Sequence, residues 1–325
     1  MEESGYKDDL VKKIERINYP EMGDWHHTED RNLMEVKMSQ RVGFIGLGNI
    51  GQPMAETIAK KGFDLTVYSR RQEPRDALKK LGAKVARSYN EVGELCNIII
   101  TMVLDAPQTE TVILGPEGVL AGAKPGTLII IGSTISPTSC KKIQQICASK
   151  SVDVISAPVS GGPKGAAAGT LAIMVDGDPR LMEKARPVLQ AMAKEIFHFG
   201  ELGSAQIVKA AKNLISNSQY IAINEAAAMV ARAGVDVELF FSMVRLSTAD
   251  CNALHDKKWY RWWLRKFDNP ETIYVTVKDT EQAVEVAREL GLHLEHGESL
   301  AKMDISALLK TIPRDIIVSQ LQEEK

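Results

Sequence analysis

The chain has 325 residues, a formal net charge of -2 and 44% hydrophobic residues, with four cysteines. That length holds two domains with their own cores, and near-neutral charge argues against a nucleic-acid binder, which carries a basic excess or stripe. No apolar run reaches the roughly 18 residues of a membrane span. The opening "MEESGYKDDLVKKIERINYPEMGDWHHTEDR" lacks the apolar core of a signal peptide, and Cys96, Cys140, Cys147 and Cys251 have no metal or redox spacing. The expectation is a cytoplasmic protein with free thiols and no membrane or nucleic-acid partner.

Residues 1 to 40 are polar; "YKDDLVKKIERI" reads as a weak helix and the rest as an irregular arm. From Val42 onward, strands are expected in "VGFIG", "DLTVYS", "AKVA", "NIIITMVL", "TLIIIGS" and "VDVISAP". Helices lie between them, as in "IGQPMAETIAKKG", where Ile50, Met54, Ile58 and Ala59 recur at helical spacing and Gly62 is a stop. This alternation, with near-continuous Val/Ile runs, implies a parallel sheet covered on both faces. "TLAIMVDGD" adds a strand and turn, "PRLMEKARPVLQAMAKE" a helix opened by Pro179, and "IFHFGE" a last short strand. The stretch "SAQIVKAAKNLISNSQYIAINEAAAMVARAGV" contains no proline and is far longer than an average helix. The remainder of the chain is mostly helical, with turn signals near "FDNPET" and "GLHLEHGES". His293 and His296 form an HxxH without further ligands nearby, so no metal site is expected.

The loop "VGFIGLGNIG" follows a strand and opens a helix. Gly46 permits a tight turn, Gly48 lets the backbone approach a pyrophosphate, and Gly51 lets the helix pack against the strand. The helix N-terminus offers N–H groups and partial positive charge to phosphates. Gly46, Leu47, Gly48, Asn49, Ile50 and Gly51 are therefore read as a dinucleotide cradle, the alternative being an ordinary glycine-rich turn. The fold expected is α/β: a Rossmann-type doubly wound parallel sheet, then an all-helical C-terminal domain joined through a long interdomain helix. The divisions are an N-terminal extension (1–40), a dinucleotide-binding domain (41–202) and a helical substrate and oligomerisation domain (203–325).

The second strand ends "VYSRR". Where a carboxylate is expected for the ribose 2′-OH of NAD, the chain has Ser69, Arg70 and Arg71. A carboxylate repels a 2′-phosphate, whereas arginine holds it with paired charge-assisted hydrogen bonds. NADP is favoured, with NAD the less favoured cofactor; the bland alternative is a solvated loop with slight selectivity.

Three later segments bear on the reaction. In "SAPVSGGPKGAAAGTL", Ser160, Gly161 and Gly162 offer a hydroxyl and backbone N–H groups to a carboxylate, or form a plain connector. In "GELGSAQIVKAAKN", Lys209 and Asn213 are four apart and share a helix face among Ile207, Val208, Ala210, Ala211 and Leu214. A lysine there either snorkels to the surface, the reading preferred for Lys212, or loses ammonium stability beside a nicotinamide and suits proton transfer near neutral pH. In "TVKDTEQAVEVARELG", Asp279 suits a helix start and Lys278 can reach back to the cofactor; alone, the pair reads as a solvated face.

Together these segments resemble the β-hydroxyacid dehydrogenase family, which includes 3-hydroxyisobutyrate dehydrogenases and glyoxylate/succinic semialdehyde reductases, over about residues 41 to 310. "GFIGLGNIGQPMA" is similar to the family's dinucleotide loop, "SAPVSGGPKGAAAGTL" to its substrate motif, Gly200 through Asn213 to its catalytic motif, and Lys278-Asp279 to its late Lys-Asp pair. The resemblance implies reversible hydride transfer between the nicotinamide and a small carboxylate-bearing hydroxyacid or semialdehyde. It implies Lys209 as proton donor and acceptor, and Asn213 orienting the substrate hydroxyl and Lys209. Ser160, Gly161 and Gly162 would grip the carboxylate, Lys278 would lie near the nicotinamide, and Met102, Val103 and Thr134 would make cofactor contacts. It also implies a homodimer or homotetramer with helical domains in contact. The alternatives are an imine reductase of the same fold, a group generally lacking this lysine, and a non-catalytic NADP-binding module.

The chain departs from the family pattern at several places. Ser156 stands where the family usually has aspartate, Ala205 replaces a glycine, and Lys212 replaces the first of two asparagines. The segment "HDKKWYRWWLRKFDNPETIYVTV" is altered; Trp259, Trp262 and Trp263 read as packing residues more readily than as a pocket wall. These changes bear on the substrate more than on the reaction class.

Overall fold

The computed structural model describes residues 40–255 and 270–321; the expected helix in "YKDDLVKKIERI" and Trp259, Trp262 and Trp263 lie outside them. Six strands, β1 (Arg41–Ile45), β2 (Asp64–Tyr68), β3 (Lys84–Val85), β4 (Ile98–Thr101), β5 (Leu128–Ile131) and β6 (Asp153–Ser156), pair in the order β3-β2-β1-β4-β5-β6. Every pair is parallel. The Val/Ile runs are buried because both faces are covered, and alternation splits them between two cores. Val42, Phe44, Ile98, Ile100, Leu128 and Ile130 face one core. Ile45, Ile99, Ile129 and Ile131 face the other.

The connecting helices are α1 (Gly51–Lys60), α2 (Gln72–Lys80), α3 (Tyr89–Leu95), α4 (Ala106–Leu114), α5 (Val119–Gly122) and α6 (Pro137–Ala148). Ser88, Asp105 and Ser136 cap α3, α4 and α6 by accepting from Glu91, Gln108 and Ser139 N–H groups. The chain leaves β1 toward β2 on one side and returns to β4 on the other. That reversal opens a crevice at the carboxyl ends of β1 and β4, where open α/β sheets bind ligands.

The next strands do not extend this sheet. β7 (Val159–Ser160), β8 (Leu171–Val175) and β9 (Ala193–His198) form a second sheet, with β7 and β8 antiparallel and β8 and β9 parallel. An antiparallel bridge between Ser156 and Asp176 links the two. Between β7 and β8 lies α7 (Gly162–Ala168), in a stretch that reads as loop because of its glycines. Helix α8 (Pro179–Gln190) ends before "AKE", since Ala193 and Glu195 pair with Leu171 and Ala172 in β9.

The rest is helical: α9 (Ser204–Arg232), α10 (Val237–Val244), α11 (Asn252–His255), α12 (Pro270–Glu289), α13 (Glu295–Ala301), α14 (Ile305–Thr311) and α15 (Arg314–Gln320). The 29 residues of α9 span roughly 44 Å at 1.5 Å each. Its buried side bears small and amide residues, Ala210, Asn213, Asn217, Asn224, Ala227 and Ala231. Asn217 donates to the Thr276 carbonyl at 3.1 Å and to Thr280 Oγ1 at 3.0 Å, tying α9 to α12. Ile221, Phe241, Leu300, Ile305, Ile317 and Leu321 close the helical core.

Candidate active site

A cleft of about 780 Å³ opens at the carboxyl ends of β1, β4 and β5. Gly46 turns the chain at φ 97°, and a Cβ there would overlap the Met102 carbonyl oxygen. A Cβ at Gly51 would overlap the Gly46 carbonyl oxygen, so α1 meets the end of β1 this closely only because residue 51 is glycine. A Cβ at Gly48 would meet nothing within 4 Å, which leaves open backbone facing a ligand. No side chain caps α1, and its first turn holds no acidic residue. Uncapped N–H groups without a nearby carboxylate fit a pyrophosphate.

Gly46, Leu47, Gly48, Asn49, Ile50, Gly51, Ser69, Arg70, Arg71, Met102, Val103, Thr134, Lys209 and Lys278 all line this cleft. The two arginines differ. Arg71 Nη2 donates to the Leu47 carbonyl at 2.7 Å and buttresses the glycine loop, while Arg70 is exposed at the cleft. Ser69 is buried and accepts from the Arg71 N–H. Tyr68 and Tyr89 meet edge to face, centroids 4.7 Å apart, on the same wall. Ser133 Oγ accepts from the Val103 N–H at 2.9 Å and joins the loops after β4 and β5.

At the other end, Lys209 Nζ donates to the Val159 carbonyl at 2.8 Å. Burial first, and the Lys212 charge second, push its pKa down to about 8. Lys278 Nζ donates to the Leu104 carbonyl at 2.9 Å and pairs with Asp279 at 3.3 Å, so α12 reaches across to the loop after β4. Lys212 is not the surface lysine its sequence suggests. It is half-buried, and burial lowers its pKa.

Four expected site residues lie apart from the cleft wall. Asn213 is buried, donates through Nδ2 to Asp279 Oδ2 at 2.9 Å and accepts at Oδ1 from Lys212 Nζ at 3.3 Å. Ser160, Gly161 and Gly162 form the β7–α7 turn, whose neighbours Val159 and Pro163 do line the cleft. The turn requires φ 130° at Gly161 and 61° at Gly162, which only glycine adopts readily.

Two buried polar residues that organise the site carry no sequence signal. Asp176, fully buried, accepts from the Ser156 N–H at 3.0 Å and from the Gly203 and Ala205 N–H groups at 2.8 Å each. It thereby caps the helix carrying Lys209, whose N-cap, Gly203, has no side chain to do so. Gln206, also fully buried, accepts from the Ile135 N–H at 3.1 Å and donates to the Ser133 carbonyl at 3.0 Å. This clamps α9 to the loop that carries Thr134. Replacing Gln206 by leucine orphans both groups. The expected result is a loss of about 2–4 kcal/mol in stability, read from denaturant unfolding, and weaker cofactor binding.

Comparison with known proteins places this geometry. The profile of the NAD binding domain of 6-phosphogluconate dehydrogenase matches residues 41–200. The profile described as NAD-binding of NADP-dependent 3-hydroxyisobutyrate dehydrogenase matches residues 203–312. An NAD-dependent L-serine dehydrogenase of Pseudomonas aeruginosa is 38% identical over 209 residues, 64% of this chain and 70% of its own. A 2-(hydroxymethyl)glutarate dehydrogenase of Eubacterium barkeri is 35% identical over 222 residues, 68% of this chain and 74% of its own. A solved structure of Mycobacterium tuberculosis 3-hydroxyisobutyrate dehydrogenase with L-serine superposes with a TM-score of 0.69 at 29% identity, covering 84% of this chain and 99% of that one. An imine reductase from Pseudomonas sp., TM-score 0.57 at 18% identity over 84% of this chain and 99% of its own, shares the fold alone. With two domain profiles matched over residues 41–200 and 203–312 and dehydrogenases as relatives, the chain belongs to the β-hydroxyacid dehydrogenase family of pyridine-nucleotide-dependent oxidoreductases.

Proposed function

We propose that this enzyme interconverts a small carboxylate-bearing β-hydroxyacid and its semialdehyde with NADP(H), using Lys209 as general acid and base. The observation that carries this is Lys209 itself, held at the cleft on the Val159 carbonyl with its pKa brought down to about 8 by burial. The overall reaction is alcohol + NADP⁺ ⇌ carbonyl + NADPH + H⁺. When bound, the nicotinamide supplies the hydride exchange. As a neutral amine Lys209 takes the hydroxyl proton; as ammonium it returns one to the oxygen of the carbonyl being reduced. The Asp279–Asn213–Lys278 cluster fixes the charges around it. The Ser160–Gly162 turn, next to cleft residues Val159 and Pro163, offers a hydroxyl and N–H groups to the substrate carboxylate. Much of the gain comes from holding the reacting carbon in place.

The test is nicotinamide oxidation with NADPH and NADH across semialdehydes, 2-oxo acids and cyclic imines. Turnover of carboxylate-bearing aldehydes supports the reading. Turnover of imines alone, or stoichiometric cofactor binding with no turnover, overturns it in favour of an imine reductase or a non-catalytic binding module. For the cofactor, Arg70 and Arg71 support NADP over NAD, since neither offers a carboxylate to a ribose 2′-OH. Arg70→Ser is expected to raise the KM for NADPH by about 10–100-fold, the value of one charge-assisted contact to phosphate, and to leave the KM for NADH within about threefold. Equal effects on both would exclude a 2′-phosphate contact.

The same reading includes a homodimer or homotetramer. Ile215 and Met229 on α9 and Leu239 and Met243 on α10 are 60%, 70%, 68% and 56% exposed, apolar side chains that a partner subunit would cover. Light scattering at micromolar concentration tests it; a monomer mass sinks it. Among the described residues no helix is long and apolar enough to cross a membrane, and the proposed location is the cytoplasm.

A further inference from the structure

One end of the cleft is walled by residues 68 to 71 at the end of β2 and by Tyr89, the first residue of α3. Strands β2 and β3 are parallel neighbours, with Val67 opposite Val85, so the chain leaving β3 rises beside the end of β2 and sets Tyr89 against Tyr68. The two rings meet edge to face, with centroids 4.7 Å and planes 77° apart, and both pack on the core that holds Ile45, Val92 and Ile99. Ser88 caps α3 by accepting from the Glu91 N–H at 3.1 Å, which fixes the backbone that carries Tyr89. The ring is therefore held from two sides while it lines the cleft. Among the described residues nothing hydrogen-bonds the Tyr89 hydroxyl. A half-buried phenol usually has a partner for its O–H. Burial first, and the Tyr68 phenol second, raise its pKa against the pull of the Arg70 charge, so it remains a donor at neutral pH.

The neighbours of Tyr89 leave it a definite task. Arg71 is committed to the Leu47 carbonyl and the Ser69 hydroxyl to the Arg71 N–H, so Arg70 is the cation of this wall that remains for a ligand. Among the described residues lining the cleft, Asp279 is the one carboxylate, and it sits at the other end with Lys209 and Lys278. A phosphate at Arg70 has three terminal oxygens, more than one guanidinium satisfies, and a phenol on the same wall supplies a further donor. We propose that Tyr89 is a specificity residue for the cofactor, its hydroxyl donating to the ribose 2′-phosphate beside Arg70. This rests on the NADP reading of the cleft. The selectivity follows from charge: a hydrogen bond to a charged oxygen contributes about 1.5–3 kcal/mol, and one to a neutral ribose hydroxyl about 0.5–1.5 kcal/mol. The edge-to-face contact with Tyr68 holds the phenol in place before the cofactor arrives, so little side-chain freedom is lost on binding.

The experiment compares wild type with Tyr89→Phe, which keeps the ring against Tyr68 and removes only the hydroxyl. Adenosine 2′,5′-bisphosphate and adenosine 5′-monophosphate, which differ only in the 2′-phosphate, are titrated calorimetrically into each protein, and thermal melting checks that the variant is folded. Wild type is expected to bind the bisphosphate more tightly, and Tyr89→Phe to lower the ratio of the two affinities by about 10-fold. With a turned-over semialdehyde, the ratio of kcat/KM for NADPH to that for NADH falls by the same factor, through KM and not kcat. An unchanged ratio in Tyr89→Phe, or an equal loss for both probes, overturns the proposal while a wild-type preference for the bisphosphate leaves the NADP reading standing. If wild type binds both probes equally, the NADP reading fails and the role of Tyr89 fails with it. The titrations decide the question even if no semialdehyde turns over.

Discussion

Lys209→Met is expected to lower kcat by about 10²–10⁴-fold in both directions, the usual contribution of a general acid–base, while NADPH still binds by fluorescence titration. The pH profiles give a second readout. With its pKa at about 8, Lys209 must be neutral to accept a proton, so hydroxyacid oxidation rises with pH and levels off above about 8. Aldehyde reduction needs the ammonium and declines over the same range. Both inflections vanish in the variant. Stability depends on the same group. The folded pKa of about 8 lies below the ordinary 10.5, so between those values the unfolded chain binds the proton and the folded one does not. Stability therefore rises with pH across that window, and the cost of the buried ammonium is full below about pH 8. Lys209→Met should melt at a higher temperature than wild type at pH 7, with the gain shrinking toward pH 10.5. Near-normal turnover in the variant would sink the proton-transfer role.

Asp176→Ala is expected to cost about 3–5 kcal/mol, because it strands three buried backbone donors at about 1–3 kcal/mol each, offset by no longer burying a carboxylate. The donors belong to Ser156, Gly203 and Ala205, so the loss falls on the junction between the first sheet and the helix that carries Lys209. Asp176 acts on chemistry only through that helix. Ser156 and Asp176 face each other across an antiparallel bridge, and the family usually places its aspartate at position 156. The double change Ser156→Asp with Asp176→Ser should therefore recover most of the stability and turnover that Asp176→Ser alone removes. Thermal melting and kcat with a semialdehyde substrate measure both. A double variant no better than the single one would show that the carboxylate serves only from position 176.

These expectations depend unequally on what the chain shows unfolded. The sheet is legible because Ile98–Thr101 and Leu128–Ile131 are unbroken apolar runs, a pattern that a strand covered on both faces requires. The glycine loop is legible because each glycine answers a local demand: a positive φ at Gly46, a backbone contact at Gly51, an open face at Gly48. Helix α9 is legible from its length without proline. The second sheet is not, since "PVSGGPKGAAAG" carries turn residues and its short strand β7 pairs backwards onto β8. Asp176 is not, because a carboxylate in "VDGD" reads as a turn residue until Gly203 and Ala205 arrive beside it. Lys212 misleads, because helix spacing alone does not tell a solvated lysine from one packed against Asn213 and α12.

By itself the sequence determined the alternating strands and helices of the first sheet, the dinucleotide loop, the arginines in place of an acid after β2, and the resemblance to the family. All of these depend on residue spacings within one strand, turn or helix. Only the tertiary structure decided which charges share a site. Lys209 meets a carbonyl 50 residues away, Asn213 meets Asp279 across 66, and Asp176 reaches α9 across 27 and 29. Ionisation depends on burial and on neighbouring charge, and both are set by which segments pack together, a quantity that no local pattern carries.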